Sequence, residues 1–548
     1  MRIGQIVGVI VLLSGSGALG ADADIHLNSL GFLPNLPKKA TIVAPCSDFT
    51  VKRASNNQAV FSGKTAGPLH QDDVKQDVWI ADFSQVKDKG RYYLDVPGAG
   101  RSTDFEIGDA VYDSAFVTTM RGFYLWRCGT AVHGEHNGQI YSHAACHMED
   151  AYEDYVGSPG TRRDGTGGWH DAGDYGKYVV NAGVTVGCLF LAWDHFQDKI
   201  KGVSLNLPDT APGYPDFLKE IKWETDWLLK MPYPDGSGKV SHKLTRVDFE
   251  GFIMPEKDDG KRYFTDWSSA AVADFVAMMA MGARYFKPHD AEYAKRCLDA
   301  AEKSYAFLTA NSQSKGFVQG SFRTGGYQTG DSDDRLWAAA EVWETTGKAE
   351  CLKDFETRAA ASSGGKIDEN WDWGNVRNLG MFTYVLSKRD SRDPNLLEQV
   401  RRDVLATADT LVTKAKQDAY GRPLGGRYYW GCNGTVARQV LNLQVANRVS
   451  PNPEYVNAAS DAVAHLFGRN YYGRSYVTGL GQKPPMNPHD RRSGADGIEA
   501  PWPGYLVGGG QSATNWNDTQ ADYRTNEIAI NWQGALVYAL AGFVSGAQ

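Results

Sequence analysis

The run Ala270-Ala271-Val272-Ala273-Asp274-Phe275-Val276-Ala277-Met278-Met279 is apolar on nearly every side of a helix. A surface helix carries a single apolar stripe, so a helix of this kind needs neighbours all round and belongs inside a large core. Helical patterns dominate from Ala110 on, over 178–196, 268–286, 336–346, 397–416, 458–467 and 528–544. Long Gly- and aromatic-rich loops such as 472–515 separate them, and loops of that length in a compact domain are usually functional. Residues 109–548 are therefore expected to form one all-α domain whose loops build a site.

Ahead of it, residues 24–108 read as β-rich. Short, partly alternating runs at 40–43, 77–83 and 91–96 are bounded by Gly, Pro, Asn and Asp clusters, at the spacing of a small all-β sandwich. Residues 1–20 carry Arg2, an apolar run over 6–13 and Ala18-Leu19-Gly20, the pattern of a secretory signal peptide. No later stretch is expected to cross a membrane, so the chain reads as exported and soluble. The formal net charge of −8, with no basic block, argues against nucleic acid and favours a neutral ligand. Fifteen Trp and 27 Tyr supply flat amphipathic rings that can stack on sugar faces, although most such rings are core residues.

Four elements carry chemistry. Gly167-Gly168-Trp169-His170-Asp171-Ala172-Gly173-Asp174-Tyr175 holds two acidic residues three apart in a turn that enters an apolar helix, where binding and catalytic groups gather. Taken alone, Asp171 and Asp174 read first as a turn aspartate and a helix cap, and only partners elsewhere in the chain overturn that. In Asp522-Tyr523-Arg524-Thr525-Asn526-Glu527, Asn526 suits a helix N-cap and places Glu527 in the first turn. The helix dipole there favours the ionised carboxylate. An acid role for Glu527 thus needs burial against rings such as Tyr523, or a nearby carboxylate, to outweigh it. In Pro484-Pro485-Met486-Asn487-Pro488-His489-Asp490-Arg491-Arg492-Ser493, a His and two Arg can donate to hydroxyl or carboxylate oxygens, or can lie in a solvated turn. Finally, Cys128, Cys146-His147 and His170 offer two thiolates and two imidazoles, a tetrahedral zinc set. Their spacing is not that of a zinc finger. A Cys128–Cys146 disulfide, or His133, His136 or His143 in place of one His, are alternatives; the odd count of seven cysteines leaves at least one thiol unpaired or on a metal.

In order and spacing, the Asp171/Asp174 loop, Asn487-Pro-His489-Asp-Arg491-Arg-Ser and Asp522-Tyr523-x-x-Asn526-Glu527 resemble glycoside hydrolase family 9. Met254-Pro255-Glu256, Leu336-Trp337-Ala338-Ala339-Ala340-Glu341 and Tyr429-Trp430-Gly431-x-Asn433-Gly434 add to the match, and Asn28-Ser29-Leu30-Gly31-Phe32-Leu33-Pro34 resembles the opening strand of the immunoglobulin-like module in one branch of that family. The resemblance implies an all-α (α/α)6 barrel catalytic domain preceded by a small all-β immunoglobulin-like sandwich. It implies an inverting glycosidase, usually an endo-β-1,4-glucanase, acting on cellulose or a related β-glucan. Under it, Asp174 is the general base, Asp171 helps hold the water, Glu527 is the general acid, His489 and Arg491 bind sugar hydroxyls, and Tyr523 stands beside the acid. It also implies a structural zinc on Cys128, Cys146 and His147 with His170 as fourth ligand, and a calcium for which Asp333 and Asp334 are candidates. Neither ion is needed for the chemistry, and a monomer is expected.

Inversion places one carboxylate on each side of the sugar, roughly 6.5–9.5 Å apart, to admit a water. Asp174 and Glu527 can satisfy that only across a cleft closed by the fold. Two departures stand out. Asp490 occupies the place of a second His in the family motif, which opens an amino-sugar alternative, an exo-acting β-glucosaminidase. Asn375 replaces a usual Asp. A non-catalytic carbohydrate-binding protein on the same fold is the alternative from another class.

Overall fold

The computed structural model describes residues 24–546 apart from 209–211 and 362–365; the signal segment expected at 1–20 lies outside the described residues. Strands β1 (Ile25–His26), β2 (Lys39–Ile42), β6 (Gln76–Asp82) and β5 (Ala66–Gln71) form one sheet in the order β1-β2-β6-β5. A second sheet runs β4 (Ala59–Lys64), β3 (Asp48–Arg53), β7 (Gly90–Val96) and β8 (Gly100–Arg101), with β9 (Phe105–Ile107) also paired to β7. Ile42, Val51, Leu94 and Phe105 from the two sheets meet in a common core with Phe32 and Phe83. This is the sandwich that the alternating runs imply.

Twelve helices of ten residues or more follow among the described residues. The inner ones are α2 (Val179–Ile200), α4 (Ser269–Phe286), α6 (Ser332–Thr346), α8 (Arg377–Leu386), α10 (Cys432–Val449) and α12 (Ile530–Ala541). Each packs on the next in that order, and α12 packs back on α2, closing a ring. The outer helices are α1 (Asp113–Leu125), α3 (Asp216–Leu228), α5 (Ala291–Ala310), α7 (Ala349–Ala361), α9 (Pro394–Gln417) and α11 (Pro453–Leu466), each seated on one or two inner helices.

Residue patterning explains which helix goes where. Every residue of α12 is buried, as is nearly all of α4. In α9 burial falls on Leu396, Val400, Val404, Ala408, Leu411, Val412 and Ala415, a single stripe at helical spacing. Pro394 opens α9, with the Asp393 carboxylate accepting from the Asn395 and Leu396 N–H groups; Ser268 caps α4 in the same way. Helix α2 corrects one expectation, because by length and composition it is long and apolar enough to cross a membrane; 89% of its most apolar window is buried inside the protein.

The purely helical reading of 109–548 also missed seven short strands. The hairpin β10 (Val132–His136) and β11 (Gln139–His143) stands alone. A small sheet runs β13 (Ser158–Arg162), β12 (Tyr152–Glu153), β16 (Tyr263–Phe264), β15 (Lys243–Thr245), β14 (Lys177–Tyr178). Strands of two to five residues are too short for period-two patterning to register. Their position matters, since β14 leads straight from the Asp171/Asp174 loop into α2.

Candidate active site

Three segments distant in sequence are joined here by main-chain contacts. Ala172 pairs with Ala529 as an antiparallel bridge, and the Ile530 N–H donates to the Asp171 carbonyl at 2.8 Å. His489 pairs with Glu527 in parallel, and the Arg491 N–H donates to the Gly173 carbonyl at 3.2 Å. Gly173 is required by this approach, because a Cβ at that position would lie 2.2 Å from the His489 carbonyl oxygen. The contacts enclose a cleft of about 330 Å³ that Asp171, Asp174 and Glu527 all line. Trp373, Trp430, Trp532, Tyr327 and Phe249 contribute rings to the same cleft, the mix of flat apolar surface and convergent polar groups expected of a ligand site.

The three carboxyls differ in surroundings. Asp171 is 1% exposed; its Oδ1 accepts from Asn181 Nδ2 at 2.7 Å and its Oδ2 from the Tyr327 hydroxyl at 2.6 Å. Burial, and then the charge of Asp174, push its carboxyl well above the usual carboxylate range. Asp174 accepts two bonds on one oxygen: Oδ2 takes the Tyr178 hydroxyl at 2.8 Å and the Gly176 N–H at 3.0 Å. Glu527 shows part of its surface to the cleft. Enclosure raises its pKa well above the ordinary value, with the charges of Asp174 and Asp171 adding to the rise; Arg491 and the Gly173 N–H act against it.

Glu527 does not sit in a first helical turn. A one-turn helix, Tyr523–Asn526, ends before it, Glu527 itself is extended, and α12 begins only at Ile530. Asn526 is no N-cap: its side-chain amide donates to the Asn487 carbonyl at 2.6 Å, and its Oδ1 accepts from Trp516 Nε1 at 3.0 Å. The helix dipole therefore does not work against a protonated Glu527, and the balance is set by enclosure and neighbouring carboxylates.

His489, Arg491 and Tyr523 adjoin the cleft without forming its wall. The His489 ring lies 5.4 Å from Phe252 and 6.0 Å from Tyr523, and Tyr523, 42% exposed, lies 5.6 Å from Trp430. Arg491 is ion-paired with Glu250 at 2.7 Å. Asp490 is 1% exposed and turned into the protein, where it pairs with the buried Arg492 at 3.0 Å and accepts from the Ser493 hydroxyl at 2.7 Å. It does not face the cleft, so the amino-sugar reading loses the residue on which it stood. Asn375 donates to Asp368 at 3.0 Å and stays out of the cleft; Asp372 enters it instead, held by Asn531 at 2.8 Å and Arg438 at 2.6 Å. Phe249, Tyr327 and Asp372 carry no sequence signal of their own. Tyr178, Asn531 and Trp532 lie beside recognised motifs, where Tyr178 and Trp532 read only as apolar helix pattern and Asn531 carries no signal of its own.

Behind the Asp171 loop, Cys128, Cys146, His147 and His170 offer four ligand atoms all within 4.8 Å of one another. Cys128 Sγ is 3.5 Å and His170 Nε2 3.3 Å from His147 Nδ1. All seven cysteines are free thiols, so the Cys128–Cys146 disulfide is not formed. His136 and His143 are turned to the Gly479 and Ala144 carbonyls, and His133 is exposed; none replaces a member of the four. His147 Nε2 meets Asp258 Oδ2 at 3.1 Å, which leaves Nδ1 facing the cluster, and burial holds the His170 imidazole down to about 3, hence neutral. Two sulfurs and two imidazoles in a closed, buried set suit a tetrahedral metal.

Comparison with known proteins agrees with the two-part fold. The family model described as glycosyl hydrolase family 9 matches residues 112–540, and the one described as cellulase N-terminal ig-like domain matches residues 21–101. Endoglucanase D of Acetivibrio thermocellus is 57% identical over 526 residues, covering 96% of this chain and 84% of its own. A metagenome-derived glycoside hydrolase family 9 endoglucanase superposes with a TM-score of 0.88 at 35% identity, covering 95% of this chain and 99% of its own. A Zn-binding triple mutant of the family 9 endoglucanase J30 superposes equally well, at 31% identity over 94% of this chain and 99% of its own.

The raised pKa of Glu527 has a measurable cost in stability. A carboxyl whose folded pKa lies above its unfolded value stabilises the fold only below that unfolded value, and destabilises it increasingly as the pH rises toward neutrality. Glu527→Gln removes the titration, so the variant is expected to melt higher than the parent at pH 7 and alike at pH 4. Thermal melts at the two pH values check this; an unchanged difference between them would contradict an enclosed, proton-retaining Glu527.

Proposed function

The chain belongs to glycosyl hydrolase family 9, and on that premise we propose that it is a secreted, inverting endo-β-1,4-glucanase that cleaves cellulose or a related β-glucan. One observation carries the reading: Asp171, Asp174 and Glu527, carboxyls of unlike environment, share one aromatic-lined cleft with Asp372. In this reading Glu527 keeps its proton and delivers it to the departing glycosidic oxygen as the bond to the anomeric carbon breaks. Asp174, whose Oδ2 is already occupied by Tyr178 and Gly176, uses Oδ1 to take a proton from the water that attacks the opposite face of that carbon. Asp171 holds this water from the side. The new C–O bond has the opposite configuration to the one broken. Trp373, Trp430 and Trp532 stack on successive sugar faces, while His489, Arg491 and Tyr523 donate to hydroxyls near the cleavage point. Export is supported by the signal-like pattern of residues 1–20, and a monomer is the working state.

A structural zinc on Cys128, Cys146, His147 and His170 belongs to the same proposal. It is supported by the closed donor set and by the Asp258 contact that orients His147. When bound, the ion would tie His170, and so the neighbouring Asp171, to the loops at 128 and 146. A calcium ion at Asp333 and Asp334 is its companion. Asp334 faces Asp274 inside the barrel, and none of their four carboxylate oxygens meets a donor from elsewhere among the described residues; Asp333 already accepts from the Val376 N–H at 2.7 Å.

On soluble β-1,4-glucan, viscosity is expected to fall well ahead of reducing-end release, the mark of internal cleavage. Glu527→Gln should lower kcat by about 10²–10⁴-fold while retaining substrate binding, and near-normal turnover by that variant would reject the acid assignment. Freshly purified protein should carry one zinc per chain by metal assay. Cys146→Ser should lose it and melt lower, whereas protein that is metal-free as isolated and melts unchanged with added zinc would refute the site.

A further inference from the structure

Lys243 is a buried cation that the chemistry above does not use. It lies on β15 directly opposite Tyr178 on β14, and is 0% exposed. Its ammonium donates to Gln319 Oε1 at 3.0 Å, Thr324 Oγ1 at 3.2 Å and the Gly325 carbonyl at 2.7 Å, with the Thr324 carbonyl at 3.4 Å. The rings of Tyr178, Phe317 and Phe322 surround it at 5.7, 5.2 and 5.0 Å. Every polar partner thus lies on one irregular segment, residues 319–325, which has no strand or helix to hold it.

That segment reaches both aspartates. The Gly325 N–H donates to the Tyr178 hydroxyl at 3.1 Å, and the hydroxyl donates its single proton to Asp174 Oδ2 at 2.8 Å. Two residues further on, the Tyr327 hydroxyl donates to Asp171 Oδ2 at 2.6 Å. The Tyr178 hydroxyl thus accepts from Gly325 while it donates to Asp174. The carbonyls of Thr324 and Gly325 are held by an ammonium in a dry pocket, where leaving them unpaired is costly.

We propose that Lys243 and the Tyr178 hydroxyl are a positioning pair: Lys243 clamps the 319–325 strap to β15, and the strap, through Gly325, Tyr178 and Tyr327, fixes both carboxylates on the water side of the cleft. This rests on the reading of Asp174 as the base. Burial lowers the Lys243 pKa to about 7, with the nearby Asp174 carboxylate opposing the shift; the amine donates to its anchored acceptors in either protonation state. Small displacements of a positioned group cost large factors in rate even when substrate affinity is kept.

The test uses the full-length enzyme with Tyr178→Phe, which removes only the hydroxyl, Lys243→Met, which keeps the stem and removes the donors, and the double variant. Each single change is expected to lower kcat on cello-oligosaccharides by about 10–100-fold with KM changed less than about 3-fold, because Trp373 and Trp430 are untouched. The double variant should fall little below the worse single one, since both act on one strap. Tyr178→Phe with kcat within about 2-fold of the parent overturns the proposal, even where Lys243→Met fails to fold. Losses that multiply in the double variant overturn the coupling between the two residues. Asp174→Asn run alongside separates the two claims. An active Asp174→Asn sinks the base assignment, whereas an inactive one beside an unimpaired Tyr178→Phe sinks only the positioning pair.

Discussion

The hydrogen bond from the Ile530 N–H to the Asp171 carbonyl, with the Ala172–Ala529 bridge beside it, joins parts of the chain more than 350 residues apart. It sits where α12 returns to α2, so it is also the point at which the helical ring closes. Without closure, α2, α4 and α12 would expose apolar faces on all sides, which only mutual burial makes tolerable. With closure, Asp171, Asp174 and Glu527 are brought to one cleft. One packing event therefore completes the core and assembles the site.

The electrostatics follow from that enclosure. Four acidic groups, Asp171, Asp174, Asp372 and Glu527, line one cleft, and enclosure together with the neighbouring carboxylates pushes both Asp171 and Glu527 well above the usual carboxylate range. The nearby guanidiniums do not undo this. Arg491 is paired with Glu250 and Arg492 with Asp490, so two cations in a loop touching the cleft are largely spoken for. The loop that reads in sequence as a sugar-binding surface is thus first a neutral brace for the backbone pairing of His489 with Glu527.

Much of this is legible in the residues. The all-round apolar pattern around Ala270 identifies an inner helix because the signal runs through several turns, and the stripe in α9 identifies an outer one for the same reason. Short elements are not legible: β14 and β15 are two and three residues long, yet they position Tyr178 and Lys243. The segment before α12 misleads for a different cause. Asn526 followed by an apolar pattern satisfies every local rule for a helix start, but its amide is drawn to Asn487 and the Glu527 carbonyl accepts from Gly508, so tertiary pairing wins over the local preference. Tyr327 and Phe249 lie in loops without periodicity and enter the cleft only through the fold. Asp490 reads as a subsite change, and only its contact with Arg492 reveals a structural residue.

The central claim is that Asp174 and Glu527 act from opposite faces of the sugar with a water between them. The most direct test is the configuration of the first product formed from a defined cello-oligosaccharide, followed by proton NMR before mutarotation. The account predicts that the α-anomer appears first and relaxes to the equilibrium mixture. Initial release of the β-anomer would mean retention and would contradict it.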